Sequence, residues 1–142
     1  MSHPWHHARS SVRRFGGKPS DYLGIHNWFD ETKSHLASWQ HRALRHHSLG
    51  IFDCEKVFGT IITNSDGVQV PVRQIGEQHV VEDLGMIPTP GDLLLALGNP
   101  KAIKGWMTRG VDISFKNEPS LLKAQPNSNE STRLDENLSS QC

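Results

Sequence analysis

Large apolar residues recur at helical spacing along the chain to about residue 110, in segments closed by glycine or proline, and this pattern predicts a mainly helical domain. In the first segment, Ser2 or His3 precedes Pro4, a residue suited to the first helical position. Trp5, Ala8, Val12 and Phe15 then share a face until Gly16-Gly17. Pro19-Ser20-Asp21 opens a second helix with Ser20 as its N-cap, and Tyr22, Ile25, Phe29, Thr32 and Leu36 form its buried stripe. A third helix is expected from the cap Ser38 to Phe58, with Ala43, Leu44, His47, Ile51, Cys54 and Phe58 on one face.

After Gly59 the apolar period shortens, and Thr60–Thr63 and Val68–Val70 flank Asn64-Ser65-Asp66-Gly67, which reads as a β-hairpin. Pro71 closes the second strand and begins a fourth helix, on which Val72, Ile75, Gly76, His79 and Asp83 share a face before Gly85. Thr89-Pro90-Gly91-Asp92 has the form of a helix start, with Thr89 as N-cap, leading through Leu93–Leu97 to Gly98. That last helix is apolar enough to be expected largely buried, with Ile103, Trp106 and Met107 covering the core. The expected fold is mainly α: about five helices, one β-hairpin and a disordered C-terminal tail.

Composition sharpens the domain limits. From about Lys116 the chain turns rich in Asn, Ser and Glu with few large apolar residues, so residues 1–116 read as a His-rich helical domain and 117–142 as a disordered acidic tail. Residues 1–50 carry seven Lys/Arg against three Asp/Glu, and 117–142 two against four, so the front is basic and the tail acidic although net charge is zero. Scattered cations of this kind fit a solvated face better than a nucleic-acid footprint. Cys54 and Cys142 are the only cysteines, which excludes a disulfide framework and a Cys-rich zinc finger. No apolar run reaches the roughly 20 residues that cross a bilayer, and the start lacks a signal peptide's apolar segment, so a soluble protein of a reducing cytoplasm is expected.

Eight of the nine histidines lie in the first 50 residues, and the candidate chemistry is theirs. An imidazole offers one nitrogen to a metal while the other donates to a carboxylate or carbonyl, so metal sites need histidines beside acids on rigid elements. His47 and His79 each fall at the centre of a core-facing stripe, and Asp83 lies one turn after His79. His26, with Asp30 at i+4, is the next contributor. The expected site is a zinc ion on His47, His79 and Asp83 with His26 in support, and His46 pointing away from it. The ordinary reading of each such histidine is a core residue satisfied by a carbonyl or an acid.

Further chemistry is thinly supported. Glu55 or Glu77 could serve as a general base for a metal-bound water, but both read better as surface acids. Cys54 reads as a small buried apolar residue. Asn64-Ser65-Asp66-Gly67 lacks the spaced carboxylates of a calcium loop, and Gly16-Gly17-Lys18-Pro19-Ser20 lacks the strand and spacing of a phosphate loop.

The chain resembles a family of small, functionally uncharacterised proteins of bacteria and their phages. The likeness spans about residues 5 to 110. It is carried by His6-His7-Ala8, Ser10 to Gly17, Asp21-Tyr22-Leu23, Ile25-His26, Trp28-Phe29-Asp30, His41-Arg42-Ala43-Leu44-Arg45-His46-His47 and Thr63-Asn64-Ser65-Asp66-Gly67. Gly76-Glu77-Gln78-His79-Val80 and Glu82-Asp83-Leu84-Gly85 are the most specific blocks. Where members tend to carry Asp-Trp-Leu, this chain has Asp92-Leu93-Leu94. The resemblance implies a compact domain and no reaction. It leaves open a reading of another class, a metal-free interaction protein with a protein partner or self-association, such as a phage particle component or an inhibitor of a host defence system.

Overall fold

In a computed structural model, which describes residues 3–111, the segments fold as six α-helices and one hairpin with short 3-10 turns between them. The helices are α1 (Pro4–Phe15), α2 (Leu23–Asp30), α3 (Arg42–Arg45), α4 (Ser48–Phe58), α5 (Val72–Leu84) and α6 (Pro90–Gly98), and the strands are β1 (Ile61–Thr63) and β2 (Gln69–Pro71). The expected tail, 117–142, lies outside the described residues. No helix among the described residues is long and apolar enough to cross a membrane.

Several starts follow the sequence signals. His3 caps α1, its Nδ1 accepting from the Trp5 amide at 3.1 Å. Thr89 and Asp92 exchange side-chain and backbone hydrogen bonds at the start of α6. The antiparallel strands pair Ile61 with Pro71, Ile62 with Val70 and Thr63 with Gln69. Asn64 holds their turn by accepting from the amides of Asp66 and Val68, while its own amide donates to Phe15 O and Tyr22 Oη. The start of α2 differs: Pro19–Asp21 form a 3-10 turn and Tyr22, not Ser20, is the N-cap.

The middle of the chain differs most. The second helix ends at Asp30 and continues only as a 3-10 turn over Glu31–Ser34, and the long third helix breaks in two. Ser38–His41 form a 3-10 turn leading into α3. His47 then takes an extended conformation (φ −158°, ψ 177°) as the N-cap of α4. The corner is tight at Gly50, where a Cβ would fall 1.8 Å from the Arg45 carbonyl oxygen, so any larger residue would force α3 and α4 apart. Periodicity alone could not register this break, because apolar residues stand at near-helical spacing on both sides of it.

Helices α1, α2, α4 and α5 pack around one core that includes Ala8, Ile25, Phe29, Ile51, Ile75 and Val80, and Trp39, Ala43, Leu93, Ala96 and Met107 form a second, smaller one. Gly76 lets α5 approach α2 closely, since a Cβ there would sit 3.1 Å from the Phe29 ring. The leucine-rich α6 is not largely buried. Only Leu93 and Ala96 turn inward, and Leu94, Leu95 and Leu97 stay exposed because nothing among the described residues packs over them.

Candidate metal centre

The interior between α1, α2, the His41–His46 segment and α5 is polar. His7, His26, His41, His46 and His79 are all buried to within 1 %, together with Asp30 and Asp83. Apolar packing positions them. Phe29 stacks on the His79 ring at 4.9 Å between centroids and meets the His46 ring edge-on at 5.8 Å. His79 and Asp83, one turn apart on α5, point the same way, as the spacing predicts.

Four donor atoms converge. His46 Nε2 lies 3.1 Å from His79 Nε2 and 3.1 Å from Asp83 Oδ2, and His79 Nε2 lies 3.3 Å from Asp83 Oδ2. Asp30 Oδ1 completes the group at 3.4 Å from each of the two imidazole nitrogens. These four atoms all lie within 4.8 Å of one another, so the group could hold a metal ion.

Surrounding bonds fix the ring that faces this group. Gln78 donates its amide to the His7 carbonyl, which leaves its Oε1 to accept from the Ser11 hydroxyl at 2.8 Å. That hydroxyl has one proton, so His26 Nε2, 2.8 Å away, must donate to Ser11 Oγ. His26 is neutral, because burial above all, with the neighbouring His79 and His7, pushes its pKa down to about 2. Its Nδ1 is therefore bare and accepts from His79 Nδ1 at 2.9 Å. A proton of His79 is thus on Nδ1, and its Nε2 is the nitrogen that faces the carboxylates.

The acids are held ionised. Burial opposes ionisation of Asp30, yet the His41, His46 and His79 imidazoles around it outweigh burial and hold its carboxyl far below the usual carboxylate range. Asp83 behaves alike: burial is opposed by His46, His7 and His79, and the balance lies far below the ordinary value. His7 bridges the neighbouring acids, donating from Nδ1 to Glu82 Oε1 at 2.7 Å with Nε2 3.2 Å from Asp83 Oδ1. Burial would lower its pKa, but Asp83 and Glu82 prevail and raise it to about 9, so His7 is an imidazolium that steadies Asp83. Neither oxygen of Asp30 has a hydrogen-bond partner, although both are buried. Two imidazole nitrogens and two carboxylates, with neither Asp30 oxygen hydrogen-bonded, form a donor set that suits a cation once His46 Nε2 gives up the proton it donates to Asp83.

The residues expected from sequence divide. His79 and Asp83 stand in the group, and His26 stands behind His79 as the partner that orients it. His47 is not brought there: its Nδ1 accepts from the Gly50 amide and its Nε2 donates to the Ala43 carbonyl, both at 3.0 Å, so it caps α4. The expected pairing of His47 with His79 across one ion is therefore corrected. The extended backbone at residue 47 reverses the two neighbours and sends His46 inward. His46, which was expected to point away, and His41 and His7 were missed as members of the cluster, while Asp30 was read only as the i+4 partner of His26.

The family profile described as "Domain of unknown function (DUF6915)" matches residues 2–107. The chain belongs to this family. It is also similar to 2'-hydroxybiphenyl-2-sulfinate desulfinases of Rhodococcus erythropolis, its strain XP and Rhodococcus qingshengii, each 32 % identical over 105 residues. That match covers 69 % of this chain but only 27 % of each desulfinase, so the chain spans about a quarter of the length of these curated relatives. No solved structure matches the chain. Membership of the DUF6915 family brings no assigned reaction with it, and the buried cluster has to speak for itself.

Proposed function

We propose that this DUF6915 domain binds one divalent transition-metal ion, zinc in the first instance, through His46 Nε2, His79 Nε2, Asp83 Oδ2 and Asp30 Oδ1. The observation that carries this reading is the spacing of the four atoms. A tetrahedral ion with ligand bonds of about 2.0–2.1 Å needs donors about 3.3–3.4 Å apart; the five separations that involve an imidazole nitrogen run from 3.1 to 3.4 Å, and all four atoms lie within 4.8 Å of one another. Two carboxylates would neutralise the ion. The Ser11–His26–His79 chain supplies the second layer that aims an imidazole at it, and His7 does the same for Asp83.

Burial argues for a closed, structural centre rather than one that exchanges substrate, because none of the four side chains is open to solvent. The test is elemental analysis of protein purified without a histidine tag. One zinc per chain is expected, lost in His46→Ala and His79→Ala. Folded wild-type protein that takes up no zinc, manganese, iron or cobalt would sink the reading.

A second role does not compete with the first. Leu94 and Leu95 on α6 are 53 % and 63 % exposed, close to exposed Met86 and Leu97, and an apolar patch of this kind favours a protein partner or self-association. Light scattering across a concentration series, with Leu95→Glu as control, tests self-association.

A further inference from the structure

We infer that the outer face of α6 docks a second copy of this chain, the two α6 helices lying antiparallel about a two-fold axis; this rests on the self-association reading of the leucine patch above. Leu93 and Ala96 face inward, so at about 100° per residue the opposite stripe of the helix is Gly91, Leu94, Leu95 and Gly98. Two exposed leucines stand at its middle, and a glycine lies one turn to either side. Glycine is the poorest helix former after proline, and nothing within the described chain requires it at these two positions. Neither has a positive φ. A Cβ on Gly98 would meet nothing within 4 Å, and one on Gly91 only Thr89 Oγ1 at 3.9 Å, an ordinary contact. Gly50 and Gly76 differ, since a Cβ there would press on the chain's own atoms. What the missing side chains of α6 permit is close approach of another backbone from outside.

Charge selects a copy of this chain as the occupant and fixes its direction. Beside the leucine stripe runs a groove lined by Met86, Asp92, Leu95, Lys101 and Trp106. Asp92 stands in the first turn of α6, and Lys101 in the 3-10 turn Pro100–Ala102 just past its last residue; both are exposed. The face is therefore acidic at one end, basic at the other and apolar between. A two-fold axis crossing α6 between Leu94 and Leu95 reverses the helix while keeping the grooves of both copies on one side. Asp92 of each copy then comes alongside Lys101 of the other, at both ends at once. The helix dipoles also oppose one another in this arrangement. Parallel packing would instead set like ends together. Because the contact is the same patch on both copies, the assembly closes at two.

The experiment is sedimentation equilibrium of the full chain from about 1 μM to 1 mM, with a cysteine cross-linking arm in a Cys142→Ser background. Wild-type protein is expected to pass from one mass to twice that mass with no larger species. Gly98→Leu, whose side chain enters open space on the single chain, should keep the wild-type circular dichroism and weaken the dimer at least tenfold. Lys101→Glu should weaken it severalfold at low salt and much less at high salt. On mild oxidation Gly91→Cys chains should cross-link to Gly98→Cys chains in a mixture, and neither variant to itself. A chain that stays monomeric over the whole range overturns the pairing and leaves the patch to a different protein. A dimer indifferent to Gly98→Leu overturns this face as the contact, and self-linked Gly91→Cys overturns the antiparallel sense. If Gly98→Leu does not fold, the cross-linking pattern decides.

Discussion

His26 and His79 face each other Nδ1 to Nδ1 at 2.9 Å, so one ring must donate and the other accept. Ser11 decides which, by requiring His26 to donate from its far nitrogen. Ser11→Ala removes that requirement and lets the His26–His79 pair exchange tautomers. Zinc affinity should fall about 10–100-fold, the usual effect of losing an outer-sphere partner, with His79 still a ligand. Competition against a chromophoric chelator measures this, and affinity equal to wild type would refute the chain of donors.

Adjacent histidines separate binding from capping. His47→Ala should lose an N-cap, about 0.5–2 kcal/mol, and melt several degrees lower while binding zinc normally. His46→Ala should lose zinc. Calorimetry and zinc titration of both variants provide the check, and a reversed result would return His47 to the centre.

An ion that binds only the folded chain stabilises it by mass action, about 2.7 kcal/mol at a hundredfold excess over its dissociation constant. Chelator treatment should therefore lower the melting temperature of wild-type protein by several degrees, and added zinc should restore it. Asp83→Asn should be nearly insensitive to both.

Two histidines set the pH response of the metal-free protein, with opposite signs. His7 is raised to about 9 in the folded state, so its contribution is complete below its unfolded pKa near 6.5 and is lost as pH rises through 9. The loss should reach about 2–3 kcal/mol, visible as a falling melting temperature between pH 7 and 10 that His7→Gln flattens. His26 is depressed to about 2, so the unfolded chain binds its proton first, and stability falls as pH drops below about 6.5. Denaturation curves at stepped pH test both slopes.

Gly50→Ala should destabilise by about 3 kcal/mol or more, since the new methyl would meet backbone at 1.8 Å and the corner holding His46 inward could not close. Gly98→Ala, with nothing within 4 Å, should be neutral or stabilising by up to about 1 kcal/mol. Equal effects in urea denaturation would show that the corner is loose.

The helical class, the hairpin, the capping box of α6 and the inward face of α5 were legible in the sequence, because each is regular and has local signals. His79 and Asp83 were legible for the same reason. The rest hid behind two physical facts. A single extended residue, His47, resets the helical count, so every phase argument across it slips. The buried face of α1 is His7, Ala8 and Ser11, while Trp5 is 43 % exposed, so a search for apolar stripes finds the wrong side of a helix whose inner face is polar. The leucines of α6 mislead in the opposite direction, being apolar and exposed.

Asp30, His46, His79 and Asp83 come from α2, the α3–α4 corner and α5, and their order along the chain has a consequence for synthesis. A nascent chain that has reached Phe58 already carries one carboxylate and one imidazole of the centre, but the other pair is on a helix not yet made. The proposed four-donor set is therefore complete only once Asp83 has left the ribosome.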